Sequence, residues 1–397
     1  MQKKERKETV RSLLSYISDE RFDFFAKETS VDWNVKKLSG KELFQLCLFG
    51  ILHENRASSR VFESFYENHF FVQSANIEQG KRVSHSSIAD RISKINVVFF
   101  EQLYQYCVRV FEKKLKIKET SVLSIYDSTI TSLSSKLLSF GMENGQKNKE
   151  GEQGRKGIKF TIGFNGLPFK VNIHQEQSMI SEDLALGDIL NDHVASKNDI
   201  AIFDRGMKDR RKMEKLSIDE QYFVTRINKN SKYQTLKDSK VETLDFENDT
   251  IKLLTAQQVY LYDGRGKKVK IAFRLIEGIL KDNNEKILIL SNLPEGDFES
   301  TQIAEIYRNR WQIECFFRFI KQELNFKHYF SRSLNGIQVM TYIILIASIL
   351  LLTYIKLNKL KGYKIPRISF CHELQNEILQ QIIIHCGGDP SKMQTFT

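Results

Sequence analysis

Residues 337–355, IQVMTYIILIASILLLTYI, run for 19 positions without a charge. A helix made from them is apolar all round, so it has to be covered on every side, by lipid or by protein. About 20 apolar residues are enough to cross a bilayer. Lys356, Lys359, Lys361 and Lys364 follow the run, as the positive-inside rule would have them. Against a membrane span, Gln338, Thr341, Ser348 and Thr353 interrupt the run, and a densely charged helical pattern precedes it. The expectation is a core helix packed behind a sheet. A membrane-anchored protein stays open as an alternative. With 397 residues the chain is long enough for such a core and for more than one domain.

Composition narrows the class. Hydrophobic residues at 41% and charged residues at 27% are ordinary for a globular protein. Four prolines and 20 glycines exclude collagen-like and Pro-rich architectures. The five cysteines (Cys47, Cys107, Cys315, Cys371 and Cys386) are scattered and form no C-x-x-C pair. That argues against a disulfide scaffold or a cysteine zinc site, and for a reducing, cytoplasmic setting. The basic N-terminus has no apolar stretch behind it, so no secretory signal is expected. A formal charge of +11 attracts polyanions without specifying one.

Periodicity divides the chain. Residues 1–118 read as helical, with a Ser-capped amphipathic stretch at 84–96 carrying Arg91 and Lys94, a weak sign of a DNA-reading helix. From 119 to 229 the pattern is strand, hairpin, helix, strand, helix, strand, as in a mixed α/β sheet with helices packed on it. Residues 230–295 alternate with a period of two and read as a β-rich insertion. Residues 296–360 hold one long helix, from about Ser300 to Leu324, and then the apolar run. Residues 361–397 form a helical tail with a frayed end.

The chemistry concentrates in carboxylates. Asp127 closes the apolar run Leu-Ser-Ile-Tyr-Asp, and Asp204 closes Ala-Ile-Phe-Asp. In open α/β sheets, ligands gather at that end of the strands. On the long helix Tyr307, Arg310, Glu314, Arg318 and Lys321 share one stripe about 80° wide at 100° per residue. A solvated set of i, i+4 ion pairs would look the same. Two strand-end acids and one helix acid can also hold divalent cations through hard oxygen ligands.

Tyr307-x2-Arg310-x3-Glu314-x6-Lys321 resembles the Y-(2)-R-(3)-E-(6)-K signature of bacterial DDE transposases of the insertion-sequence type-four family. The YDST segment with Asp127 and the IFDRG segment with Asp204 are similar to that family's first-acid and second-acid motifs. The long gap between Asp204 and Glu314 is similar to members with a β-rich insertion before the glutamate. The resemblance covers about residues 120–355. It implies a ribonuclease H-like catalytic core interrupted by a β-rich insertion and preceded by an all-helical DNA-binding domain. It further implies that Asp127, Asp204 and Glu314 bind two Mg²⁺ ions, with Mn²⁺ as a substitute. Tyr307, Arg310 and Lys321 would then contact transposon-end DNA, with Arg318 assisting from the same stripe. By the same resemblance the enzyme would bind its terminal inverted repeats as a homodimer in the nucleoid. It would cleave them by two-metal phosphoryl transfer and join the 3′-OH to target DNA.

Trp311 is a candidate for stacking on a base, although a Trp beside a polar stripe is more often a core residue. Lys159, at the start of a core strand, is a candidate phosphate contact, and the basic loop 147–159 could ride on a DNA backbone. His174, His193 and His328 share no metal-ligand spacing and read as solvated or core histidines. A second reading keeps DNA binding without catalysis, as an inactive or domesticated element.

Overall fold

The computed structural model describes residues 8–54, 58–78, 80–117, 123–133, 141–143, 156–191, 199–237, 239–327, 331 and 333–392. His193, His328 and most of the basic loop, residues 147–155, lie outside the described residues. Helices α1 (Val10–Leu14), α2 (Asp19–Thr29), α3 (Gly40–His53), α4 (Ser59–Ser64), α5 (His69–Ser74), α6 (His85–Lys94) and α7 (Val97–Lys114) come first. Then follow β1 (Leu123–Ser132), β2 (Met142–Glu143), β3 (Lys156–Phe164), β4 (Pro168–His174), α8 (Glu182–Asn191), β5 (Ile200–Phe203), α9 (Arg210–Ile218) and β6 (Tyr222–Ile227). Strands β7 (Tyr233–Thr235), β8 (Glu242–Glu247), β9 (Ile251–Leu261), β10 (Phe273–Leu280) and β11 (Lys286–Ser291) lead to α10 (Ser300–Arg308) and α11 (Trp311–Glu323). Helices α12 (Leu334–Leu357) and α13 (Lys364–His385) complete the chain. It divides into two units: one from Met1–Lys116, Leu133–Phe140 and Arg318–Thr397, the other from Ile117–Ser132 and Gly141–Phe317.

The first unit is helical among its described residues and built around α12, which carries the charge-free run. Its packing partners are α7, α3, α6 and α13. The helix was expected behind a sheet; instead other helices surround it. The reason is geometric: a sheet covers one stripe of a helix, whereas one apolar on all faces needs neighbours all round. Sixteen of its residues are buried, and 83% of its most apolar window is covered by protein. Its polar residues are absorbed locally, the Thr341 hydroxyl donating to Ile337 O and that of Ser348 to Leu345 O. Covered in this way, the helix serves as core, and the physical ground for a bilayer anchor is removed. Leu345→Ala should lower stability by about 2–5 kcal/mol, read from the urea midpoint. An unchanged midpoint would contradict this burial.

Helix α6 begins with a Ser84 cap on Ser87 N, as its sequence suggests. Its basic residues are engaged within the unit. Arg91 donates to Val31 O and Leu38 O and pairs with Asp32, while Lys94 pairs with Asp90. These contacts pin Arg91 to the unit rather than presenting it to a groove.

The second unit is a mixed α/β layer. Its sheet, eleven-stranded among the described residues, runs β2-β3-β1-β5-β6-β11-β10-β9-β7, with β4 on β3 and β8 on β9. Strands β1, β5 and β6 are parallel to one another and β1 is antiparallel to β3. The β-rich stretch does not form a sheet of its own, because β11 pairs antiparallel with β6 and extends the central sheet. Adjacent residues alternate between two cores. Phe223, Leu275 and Leu288 join one cluster with Leu186 and Ile189 of α8 and Met213 of α9. Val224, Ile276 and Ile289 join the other with Ile303 and Ala304 of α10. A period of two with both faces apolar is the mark of a sheet covered on both sides.

Candidate active site

Register places the first two acids. The parallel ladder between β1 and β5 ends at Tyr126↔Phe203, so Asp127 and Asp204 each come one residue beyond its last rung. The Thr225 hydroxyl on β6 donates to Phe203 O at 2.9 Å and fixes the strand end from which Asp204 emerges. Asp127 does not close its strand, as its sequence had suggested. Strand β1 continues to Ser132 because β3 remains its partner through Gly157. Asp127 therefore ends only the parallel pairing. Its Oδ1 accepts from Ser128 N at 2.8 Å.

The third acid arrives on the helical segment, which is two helices rather than one. At Asn309 and Arg310 the hydrogen bonds tighten to Asn309 N→Ile306 O and Arg310 N→Tyr307 O. The Asn309 side chain caps Glu305 O and Ile306 O in place of the next helical amides. Tyr307 and Arg310 nonetheless reach the acids. The Tyr307 hydroxyl donates to Asp204 Oδ1 at 3.1 Å. Arg310 Nη2 donates to Glu314 Oε1 at 2.6 Å, and its Nη1 lies 3.9 Å from Asp127 Oδ2. These contacts form two sets, Tyr307 with Asp204 and Arg310 with Glu314 and Asp127. The charge of Asp204 acts on both Asp127 and Arg310, so that electrostatics joins the five into one group.

Its electrostatics are unbalanced. Burial pushes the Asp127 carboxyl from its ordinary 3.8 up to about 7. The Ser128 amide opposes this, Glu182 and Asp204 add to it as like charges, and Arg310 pulls it back only in part. Burial also raises the Tyr307 phenol, and the Asp204 charge raises it further. For Arg310 burial works against the cation, yet Tyr307, Asp204 and Glu314 together more than offset it and hold it above its usual range.

The remaining sequence candidates are placed differently. Trp311 is 51% exposed and flanks an apolar groove lined by Ile251, Leu280, Ile287, Ile289, Ala304 and Tyr307. Arg318 and Lys321 lie one and two turns after Glu314 on α11, the first exposed and the second half-buried. Lys159 is not available to DNA as placed. It is 2% exposed, donating to Ile180 O at 2.8 Å and to Glu182 Oε2 at 3.0 Å. A buried ammonium needs such partners, and at 2% exposure a DNA phosphate could not reach it. His174 is buried against Thr161, whose hydroxyl also meets Ser128.

Glu182, in the first turn of α8, escaped the sequence reading. Its charge acts on Asp127, and its Oε1 is buried with no hydrogen-bond partner among the described residues. Nothing local in the sequence marks it apart from an acidic helix start, because the sheet alone brings it near β1. A Cβ on Gly206, two residues after Asp204, would stand 2.3 Å from Glu182 Cγ. Gly206→Ala should therefore displace Glu182 and cost about 1–3 kcal/mol, read from thermal unfolding. A neutral result would show that Glu182 moves freely.

The donor set fits a hard divalent cation: carboxylate oxygens, with Asp127 held back from ionising chiefly by burial and further by its acidic neighbours. Among the described residues, however, no three His, Cys, Asp or Glu side chains stand close enough together to hold a metal ion as placed.

The sequence comparisons agree in one direction. The family model described as the transposase DDE domain matches residues 118–350. The "Putative transposase for insertion sequence element IS4SA" of Synechocystis sp. is 26% identical over 325 residues, 76% of this chain and 84% of that protein. The "Probable transposase for insertion sequence element IS5377" of Geobacillus stearothermophilus is 23% identical over 368 residues, 87% of this chain and 90% of that protein. Among solved structures, a piggyBac transposase synaptic complex with hairpin DNA matches with a TM-score of 0.46 at 12% identity, covering 99% of this chain and 84% of that one.

Proposed function

Because the chain belongs to the DDE transposases of the insertion-sequence type-four kind, we propose that Asp127, Asp204 and Glu314 are its metal-binding catalytic acids. On this reading the enzyme cleaves the terminal inverted repeats of its own element and joins the freed 3′-OH to target DNA. The observation that carries it is the connected group itself. Asp127 and Asp204 leave neighbouring parallel strands at one rung, and from the helical segment Tyr307 meets Asp204 while Arg310 meets Asp127 and holds Glu314. The strand order β3-β1-β5-β6, with β1 antiparallel to β3 and parallel to β5, supports a ribonuclease H-like core.

Divalent cations bound by these acids, Mg²⁺ or Mn²⁺, would supply Lewis-acid stabilisation of charge on the phosphoryl oxygens. The chain's own groups orient and hold. Tyr307 fixes the Asp204 carboxylate through its hydroxyl, and Thr225 fixes the backbone before it. Arg310 offers a planar fork suited to a phosphate. Arg318 and Lys321, further along α11, extend the cationic stripe toward the DNA backbone. Trp311 presents an exposed ring on which an unpaired base can stack. A homodimer would pair two element ends.

The test is incubation of the full chain with duplex DNA taken from the ends flanking its gene, with Mg²⁺ or with EDTA. Strand breaks at the element boundary that require Mg²⁺ and leave a 3′-OH able to join a second duplex are expected. Specific end binding without breaks would favour the inactive DNA-binding reading. Absence of both would overturn the proposal.

A further inference from the structure

The guanidinium of Arg310 stands where the carboxylates have to converge. Its Nη2 holds Glu314 Oε1 at 2.6 Å and its Nη1 lies 3.9 Å from Asp127 Oδ2, so one cation spans two of the three acids. The Arg310 side chain is 20% exposed and that of Glu314 42%, so the guanidinium is sheltered while the carboxylate still meets solvent. A charge-assisted bond of that length engages the Glu314 oxygen strongly. The same oxygen cannot also serve a divalent cation at full strength. Two cations within about 4 Å of each other repel strongly in a partly buried site. Tyr307 does not replace Arg310 in this role, because its hydroxyl is given to Asp204.

Resting on the transposase reading above, we propose that Arg310 is the internal counter-cation of the acid group and that DNA releases it. A DNA phosphate takes the guanidinium in a bidentate pairing, which frees Glu314 and Asp127 to close on metal. DNA capture and metal loading are thereby coupled through one side chain, and by linkage each favours the other. The consequence is protective: an enzyme without DNA holds its metal weakly and does not assemble a competent site.

Two alternatives make different forecasts. If Arg310 only orients Glu314, removing it loosens the acid and weakens metal binding. If DNA adds metal ligands directly, it tightens metal binding whether or not Arg310 is present.

The experiment titrates Mn²⁺ into the full chain and follows the free ion by electron paramagnetic resonance, with and without duplex DNA of arbitrary sequence at low salt. Wild type is compared with Arg310→Gln, Asp127→Asn and the double variant, each checked for folding by circular dichroism. Without DNA, Arg310→Gln should bind Mn²⁺ at least about tenfold more tightly than wild type. DNA should tighten binding in wild type and have little further effect in Arg310→Gln, and Asp127→Asn should weaken binding in both backgrounds. If Arg310→Gln misfolds, Arg310→Lys, which keeps the charge but loses the fork, stands in with an intermediate affinity expected. Equal or weaker binding by the Arg310 variants, or equal tightening by DNA in all proteins, would overturn the coupling while an Asp127-dependent Mn²⁺ site left the transposase reading intact. No Asp127-dependent Mn²⁺ binding in any protein would overturn both.

Discussion

Glu314→Gln should abolish cleavage and joining of element-end DNA while leaving end binding largely intact. The substitution keeps the side chain's shape and removes its charge. A carboxylate that ligates a catalytic cation contributes several kcal/mol of charge stabilisation, which corresponds to a rate loss of at least about 10³-fold. Folding should scarcely register the change. Glu314 is 42% exposed and its pairing with Arg310 is an i, i+4 contact, of a kind that contributes about 0–1 kcal/mol. Cleavage rates and gel-shift affinities measured together separate the two effects. A variant cleaving within tenfold of wild type would remove Glu314 from the metal-binding acids.

Asp127→Asn should stabilise the metal-free protein at alkaline pH as it destroys activity. The carboxyl is raised from 3.8 in an ordinary environment to about 7 in the fold, with burial the largest cause. Between those values the native state holds a proton that the unfolded chain has released, so stability falls as pH rises. The loss is complete above about pH 7 and absent below about pH 4. A shift of that size corresponds to about 4 kcal/mol at most, reduced by the water that reaches a side chain 23% exposed. Asparagine has no proton to lose and escapes the penalty. Thermal melts in EDTA at pH 5 and pH 8 should show wild type losing stability across that interval and Asp127→Asn holding steady. Parallel curves would mean that Asp127 ionises normally. Because Mg²⁺ competes with the Asp127 proton, the Mg²⁺ concentration giving half-maximal cleavage should fall as pH rises toward 7.

Both predictions concern residues that were legible before any fold was known, and the reason is local. An acid after an apolar run draws attention to Asp127, although its strand continues to Ser132. The spacing of Tyr, Arg, Glu and Lys draws attention to Glu314, although the helix breaks between α10 and α11. Other features are set by distant parts of the chain and leave no local trace. Lys159 looked available for phosphate because a lysine beside a strand usually is. Its burial depends on Glu182, 23 residues away, and on the turn at Ile180. Glu182 itself gains its place only from the folded sheet. The continuation of β1 past Asp127 depends on β3, whose ladder outlasts that of β5. The break between α10 and α11 depends on one asparagine side chain competing for carbonyls. The apolar run of α12 stated that it would be covered without stating by what. Its neighbours α3, α6 and α7 lie more than 200 residues earlier in the chain.

The insertion shows the same division. Period-two alternation foretold strands, but sheet membership is decided at β6 and β11. There Leu288↔Ile227 and Ser291↔Val224 join the β-rich stretch to β6, which lies next to β5, the strand before Asp204.

The central claim is that Asp127, Asp204 and Glu314 ligate the cation that supports phosphoryl transfer. Its most direct test is a change of metal preference. In Asp204→Cys a hard oxygen is replaced by a soft thiolate, which disfavours Mg²⁺ and tolerates Mn²⁺ or Zn²⁺. Strand cleavage by this variant should be lost in Mg²⁺ and restored in part by the softer ions, with wild type active in Mg²⁺ throughout. Equal loss in every metal alongside intact DNA binding, or full activity in Mg²⁺, would contradict the assignment of Asp204 as a ligand.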